Sequence, residues 1–252
     1  MSIQKCTVFL IVPFAISGCL SSTESDNIDN NALWASIKIE DRNAGPTAKV
    51  TAELNVGGFS GTNVELSDGE KLEVTVNGET SELKHDTDFL DIDYQTHVQV
   101  TREVTLFTID FYRNGEPDIL GSNVELPLAF DIVEPEEEQR IFSDTPLSVQ
   151  WNSALSDSEM KVNVSVSCGT STGGTVALAK DFMTADDGNY NVNLNTAFLN
   201  EIQDLDREQS CDVEVELLRR SEGSLADGYG EGGEIVALRA RKVDEITLVI
   251  NN

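Results

Sequence analysis

Basic residues are scarce in this chain. Lysine and arginine total 17 against 45 aspartates and glutamates, for a formal net charge of −28. A field of that sign repels nucleic acid and anionic lipid surfaces, which argues against both as partners. It favours solubility, cationic partners or divalent metal. Aromatic residues are also few, at 6%. Trp151, Phe107 and Phe111 fall in strand patterns that make them core, which counts against a sugar-binding platform built from exposed rings. The only histidines, His85 and His97, lie early in the chain, against the serine–acid–histidine order of an α/β-hydrolase. The apolar run from Cys6 to Ile16 contains Pro13 and falls short of the about 20 residues that a spanning helix needs.

What that run does have is the right flanks. Met1 to Lys5 carries one positive charge, and Ser17, Gly18 and Cys19 follow the apolar residues, the order of a secretory signal. The stretch Ile16-Ser17-Gly18-Cys19 resembles the lipobox of bacterial lipoproteins. The resemblance implies that residues 1–18 are a signal peptide and that the Cys19 thiolate takes a diacylglyceryl group, so that the membrane is a partner through this lipid. It also implies, from Leu20 where an inner-membrane retention signal has aspartate, an address at the outer membrane, on its periplasmic or surface face. Residues 19–31 carry the lipidated cysteine and then LSSTESDNIDNN, mostly polar or acidic and without aromatics. Such a stretch cannot bury a core and is expected to be a flexible tether with a reach of about 20 Å.

The body shows alternation with period two, the mark of half-buried strands. Ala48 to Val56, Leu72 to Val76, Tyr94 to Val100, Phe107 to Phe111 and Val124 to Ile132 all follow it. Asn77-Gly78 tolerates the positive φ angles of a type I′ hairpin, so Glu79 to Leu83 should turn back as a partner strand. Pro127, on the outward face of its run, suits an edge strand. Alternation stops at Glu134-Pro135-Glu136-Glu137-Glu138-Gln139-Arg140, a charged turn or linker. It resumes over Leu147–Trp151, Val162–Cys168, Val176–Leu178, Tyr190–Leu194, Cys211–Leu217 and Ile246–Ile250. Phe198, Ile202 and Leu205 instead fall at helical spacing behind Asn195, predicting one short helix over 196–206. The expected fold is all-β: two tandem antiparallel β-sandwich domains, 32–135 and 136–252, with one helix in the second. The plan resembles tandem immunoglobulin-like modules of bacterial envelope proteins, with no motif tying it to a named family.

Two further signals lie in the second half. Cys168 ends one strand and Cys211 begins another, each on the apolar face of its strand, which predicts a structural disulfide in an oxidising compartment. A faint repeat also relates the halves, since the strands Phe107–Arg113 and Val213–Arg219 each run into an arginine near a turn.

Candidate chemistry is thin. Gly169-Thr170-Ser171-Thr172-Gly173 matches a nucleophile elbow, but a strand rather than a helix is expected after it. Gly228-Tyr229-Gly230-Glu231-Gly232-Gly233 contains a dinucleotide-type pattern without the flanking strand and helix. Asp86, Asp88, Asp91 and Asp93 lie close together and Asp186-Asp187-Gly188 forms a turn. Calcium takes such oxygens, although the spacing is not that of an EF-hand, and solvated surface is the alternative reading. Paired carboxylates could also hydrolyse sugars, but nothing shows which acids face each other. The sequence therefore predicts a non-enzymatic envelope module, without cofactor, that binds or assembles with an unknown protein or envelope partner. A carboxylate hydrolase and a calcium-dependent binding module stand as alternatives.

Overall fold

The computed structural model describes residues 22–42, 45–87, 92–156 and 158–251. The expected signal segment 1–18 and Cys19 lie outside the described residues, as do Asp88 and Asp91. In chain order the strands are β1 (Ser22–Glu24), β2 (Leu33–Asp41), β3 (Thr47–Val56), β4 (Thr62–Glu65), β5 (Lys71–Val76), β6 (Glu79–Glu82), β7 (Lys84–Thr87), β8 (Ile92–Gln99) and β9 (Thr105–Tyr112). Then follow β10 (Ile119–Leu126), β11 (Ile132–Glu134), β12 (Arg140–Phe142), β13 (Leu147–Trp151), β14 (Glu159–Gly169), β15 (Thr175–Ala185) and β16 (Asn189–Val192). After a single helical turn, α1 (Leu194–Ala197), come β17 (Cys211–Glu222) and β18 (Gly233–Val249).

The fold is all-β and built as two sandwiches around one shared sheet. That sheet runs β1-β4-β3-β2-β18-β17-β14-β15, with β8 and β7 beyond β3 and β12 beside β18. A four-stranded sheet, β10-β9-β5-β6, closes the first core, and a three-stranded sheet, β11-β13-β16, closes the second. Pairing is mostly antiparallel. The exceptions among the described strands are β1 with β4, β12 with β18 and β18 with β2, all parallel. Alternation does what the pattern predicts: β2 buries every second residue from Leu33 to Asp41, and β14 does so from Met160 to Cys168. The Asn77-Gly78 turn joins β5 to β6 with φ of 52° and 84°, as a type I′ hairpin requires.

The two cores do not divide at one point of the chain. Tyr229, Ile235 and Ala237, all beyond residue 135, pack into the first core, while Phe130 packs into the second. Strand β18 is the reason. Its first half, Gly233 to Arg239, pairs with β2 and its end, Thr247 to Val249, with β12, while β17 runs along most of its length.

Three expectations are corrected. Residues 22–31 are not a free tether: β1 pairs with β4, and two 3-10 turns follow, with Ser25 and Ile28 buried. The low hydrophobicity of this stretch is offset by polar bonds to the body, described below. The run Val124–Ile132 is not one strand. Strand β10 ends at Leu126, before Pro127, and Ala129 N bonds instead to Arg102 O. The helix is one turn and starts earlier than predicted, because Asn193 rather than Asn195 caps it by accepting from Thr196 N at 3.1 Å. Asn195 donates to Ser143 O at 2.6 Å, tying the helical turn to the turn that follows β12.

Candidate functional site

The sequence motifs resolve into structural parts. Residues 170–174 form the tight turn between β14 and β15, and the Ser171 hydroxyl donates to Asp204 O at 3.2 Å. No helix follows, so the hydroxyl is not raised on an elbow. Within the run Gly228 to Gly233, Gly230 and Gly233 serve close backbone approach. A Cβ on Gly230 would stand 2.3 Å from Asn31 Cα, and one on Gly233 would stand 1.9 Å from Ala35 O. Gly233 also has φ +138°, a conformation that favours glycine. Gly233→Ala is therefore expected to cost about 1–3 kcal/mol, as an overpacked contact does, read as a lower urea midpoint.

Of the acids named as calcium candidates, two come together on one hairpin and one is buried elsewhere. Asp86 and Asp93 face each other across β7 and β8, and Asp86 accepts from Gln95 Nε2. Asp186 is buried and ion-paired with Arg219, not presented to solvent. Among the described residues no group of three or more His, Cys, Asp or Glu side chains is placed to hold a metal ion.

Three buried arginine–carboxylate centres organise the body. In the first, Arg113 pairs with Glu70 at 3.5 Å and donates to Ile28 O at 3.1 Å, and also to Ser25 O and Asn30 Oδ1. Glu70 in turn accepts from Asn114 N at 3.0 Å and from the Ser25 hydroxyl. This one ion pair thus pins the whole N-terminal segment 25–30. In the second, Arg219 meets Asp186 at 2.6 Å, donates to Leu128 O and Ser153 O at 2.7 and 2.9 Å, and lies 4.9 Å from the centre of the Phe130 ring. Trp151 Nε1 donates to the same carboxylate at 2.7 Å. The faint repeat has a physical meaning here, since Arg113 and Arg219 are both fully buried and both set against a carboxylate and a ring. The third centre, Asp41 with Arg239 and Arg241, sits where the cores meet. Arg239 Nε donates to Pro127 O at 2.6 Å. Burial pushes the Arg239 guanidinium down from its ordinary value, and Asp41 opposes that shift. Every one of these carboxylates is committed to holding the fold.

The cysteines meet as expected. Strands β14 and β17 are antiparallel neighbours, with Ser167 opposite Asp212. Cys168 and Cys211 follow as the next pair, bridged with Cα atoms 4.4 Å apart and both sulfurs in the second core.

An open surface remains at β15. This strand pairs with β14 over all eleven residues without a bulge, and no described strand covers its other side. Val176, Leu178 and Phe182 point toward the second core but stay partly exposed, together with Tyr190 and Leu205. The charges on the strand are already paired. Lys180 bonds Glu201 at 2.6 Å, and Asp181 bonds Lys161 and Asn163 at 2.7 and 2.6 Å. Those bonds, Lys161 first, hold the Asp181 carboxyl below the usual carboxylate range. Beside the strand, on the outer face of the sheet, lies a groove of about 810 Å³ lined by Met183, Leu218 and Leu238 and rimmed by Glu159, Lys161 and Arg220. From the sequence only Thr175 to Lys180 reads as strand, with Val176 and Leu178 as its apolar row. Lys180 interrupts the apolar row there, and with it the signal for the second half of β15.

No family model matches the chain, and no curated protein matches it. Among solved structures it is similar to a cytokine receptor complex at 12% identity, over 81% of this chain and 94% of that one, with a TM-score of 0.29. It is also similar to the chicken interferon gamma receptor alpha chain at 11% identity, over 80% and 91% of the two chains, with a TM-score of 0.22. Likenesses this distant carry no argument about what the chain binds.

Proposed function

We propose that this chain is a lipid-anchored protein of the bacterial envelope, modified at Cys19 and addressed to the outer membrane, that acts by holding a partner rather than by catalysis. The observation that supports binding most directly is the free edge of β15. It offers a long, unbroken row of backbone donors and acceptors above an incompletely covered apolar layer. An extended segment of another protein can add to such an edge, with its backbone giving affinity and its alternate side chains giving choice. Segments with apolar residues on one face would cover Val176, Leu178 and Phe182, and basic residues would suit the net charge of −28. Lys180, an inward-facing charge in mid-strand, guards the edge against indiscriminate pairing.

The test is photo-crosslinking in intact cells, with the reactive residue placed in turn at Thr175, Ala177 and Ala179 on β15 and at Leu120 and Asn123 on β10 as controls. The expected result is one and the same polypeptide captured from the β15 positions and not from β10. Equal or absent capture at all five positions would remove the edge as the binding surface.

A further inference from the structure

Maturation at Cys19 would leave Leu20 and Ser21 between the lipidated residue and Ser22, the first residue of β1. Three chain steps span at most about 10 Å even fully extended. Ser22 is not free to wander from the body. It is paired across to Asn63, and the segment just after it is locked by Arg113 and Glu70. The place where the chain leaves the membrane is thus a fixed place on the folded surface.

That place has an unusual character for so acidic a protein. Ser22, Asn63, Asn55 and Trp34 form one row across β1, β4, β3 and β2. The chain from Leu54 to Val64 contains no charged residue. Within it, the turn Gly57-Gly58-Phe59-Ser60-Gly61 projects from the end of β3 beside this row. The turn is built rather than slack, since Gly61 N donates to Gly58 O at 2.9 Å and Asn55 Nδ2 to Phe59 O at 3.3 Å. A Cβ on Gly61 would stand 1.9 Å from Val56 O, so only glycine lets the turn close. What it presents is Phe59, 76% exposed and the most exposed large apolar side chain among the described residues. The ring of Phe59 meets that of Trp34 edge-on with centroids 5.5 Å apart. Glu24, Glu53 and Glu65 each stand two residues away from the row, on the side opposite the turn. Glu231, whose N–H bonds Leu33 O, is an acid also present at this end.

We infer that the Phe59 turn and Trp34 form a membrane contact that seats the body on the lipid surface. This rests on the anchoring at Cys19 proposed above. The headgroup layer is about 5–8 Å deep on each side of the hydrocarbon, so a body tethered through two residues is held with the face around Ser22 at that layer or within a few Å of it. Tryptophan settles at that depth, and phenylalanine is among the side chains that interfacial elements bury there. Zwitterionic lipid fits this face, since an anionic surface would repel the rest of the molecule.

The experiment uses the full lipidated chain in phosphatidylcholine vesicles, plain or with brominated acyl chains, and reads tryptophan emission. Trp151 is buried in the second core and supplies a constant background. The expected result is that brominated lipid quenches part of the emission, that Trp34→Phe abolishes the quenching, and that Phe59→Ser reduces it while the protein still floats with the vesicles. Unquenched emission from floating protein overturns the contact and leaves the anchor standing. Quenching that survives Phe59→Ser also overturns it. Protein that stays in the aqueous fraction with an unmodified Cys19 overturns both.

Discussion

Asp186→Ala is expected to destabilise the fold by about 3–5 kcal/mol, because it strands a buried guanidinium without its counter-charge. Arg219 is fully buried, meets the carboxylate at 2.6 Å, and has no route to water. The same substitution leaves Trp151 Nε1 without its acceptor, which adds the cost of an unpaired buried donor. Replacing both charges, Asp186→Leu with Arg219→Met, should recover part of that loss, since apolar pairs of similar volume often substitute well for buried ion pairs. Recovery will be incomplete here, because Leu128 O and Ser153 O also rely on Arg219. Equilibrium urea unfolding of the three proteins, followed by Trp151 emission, checks this order. A single mutant within about 1 kcal/mol of the parent would contradict it, being no more than an exposed pair contributes.

The second large effect is expected at the disulfide. Replacing Cys168 and Cys211 together by alanine should cost about 4 kcal/mol on the chain-entropy account for a bridge with this span. The two residues are 43 apart in sequence and adjacent across β14 and β17. The enclosed segment contains the free edge strand β15 and the one helical turn. These have less of the core beneath them than the strands around β18, so the crosslink constrains the part of the second sandwich least held by packing. The shift in midpoint should appear equally in the parent protein on adding a reductant and be absent in the double mutant. A parent unaffected by complete reduction would show that the bridge adds nothing to stability.

How much of this was legible in the sequence depends on how many faces of a strand are buried. Where one face meets water, period-two alternation gave strands such as β3, β5, β9, β13 and β14. Strand β18 escapes this logic. From Ile235 to Val243 nearly every residue is buried, Arg239 and Arg241 included, so IVALRARKV shows no alternation and only Ile246 to Ile250 reads as strand. The parallel pairing of β18 with β2 was equally hidden, because the alternation of Leu33, Ala35, Ile37 and Ile39 states which face is buried but not which strand lies alongside. The disulfide was legible because each cysteine stands in phase with its own apolar face. The N-terminal segment was misread because composition counts apolar residues, whereas Ser25, Ile28 and Asn30 are held by the buried Arg113, 83 or more residues away. The exposed Phe59 was visible only as an aromatic among glycines, since its closeness to the chain's point of entry depends on β1 lying beside β4.

Sandwich modules usually circulate as cassettes, each bringing all of its own strands, so that one can be copied, swapped or lost without harm to its neighbour. Here β18 belongs to two cores at once, and the segment from Tyr229 to Ala237 returns to a core begun some two hundred residues earlier. Deleting either half would leave the other with an open flank and a strand lacking its partner. The two sandwiches are therefore one structural unit, which no single cut of the chain divides without opening a core.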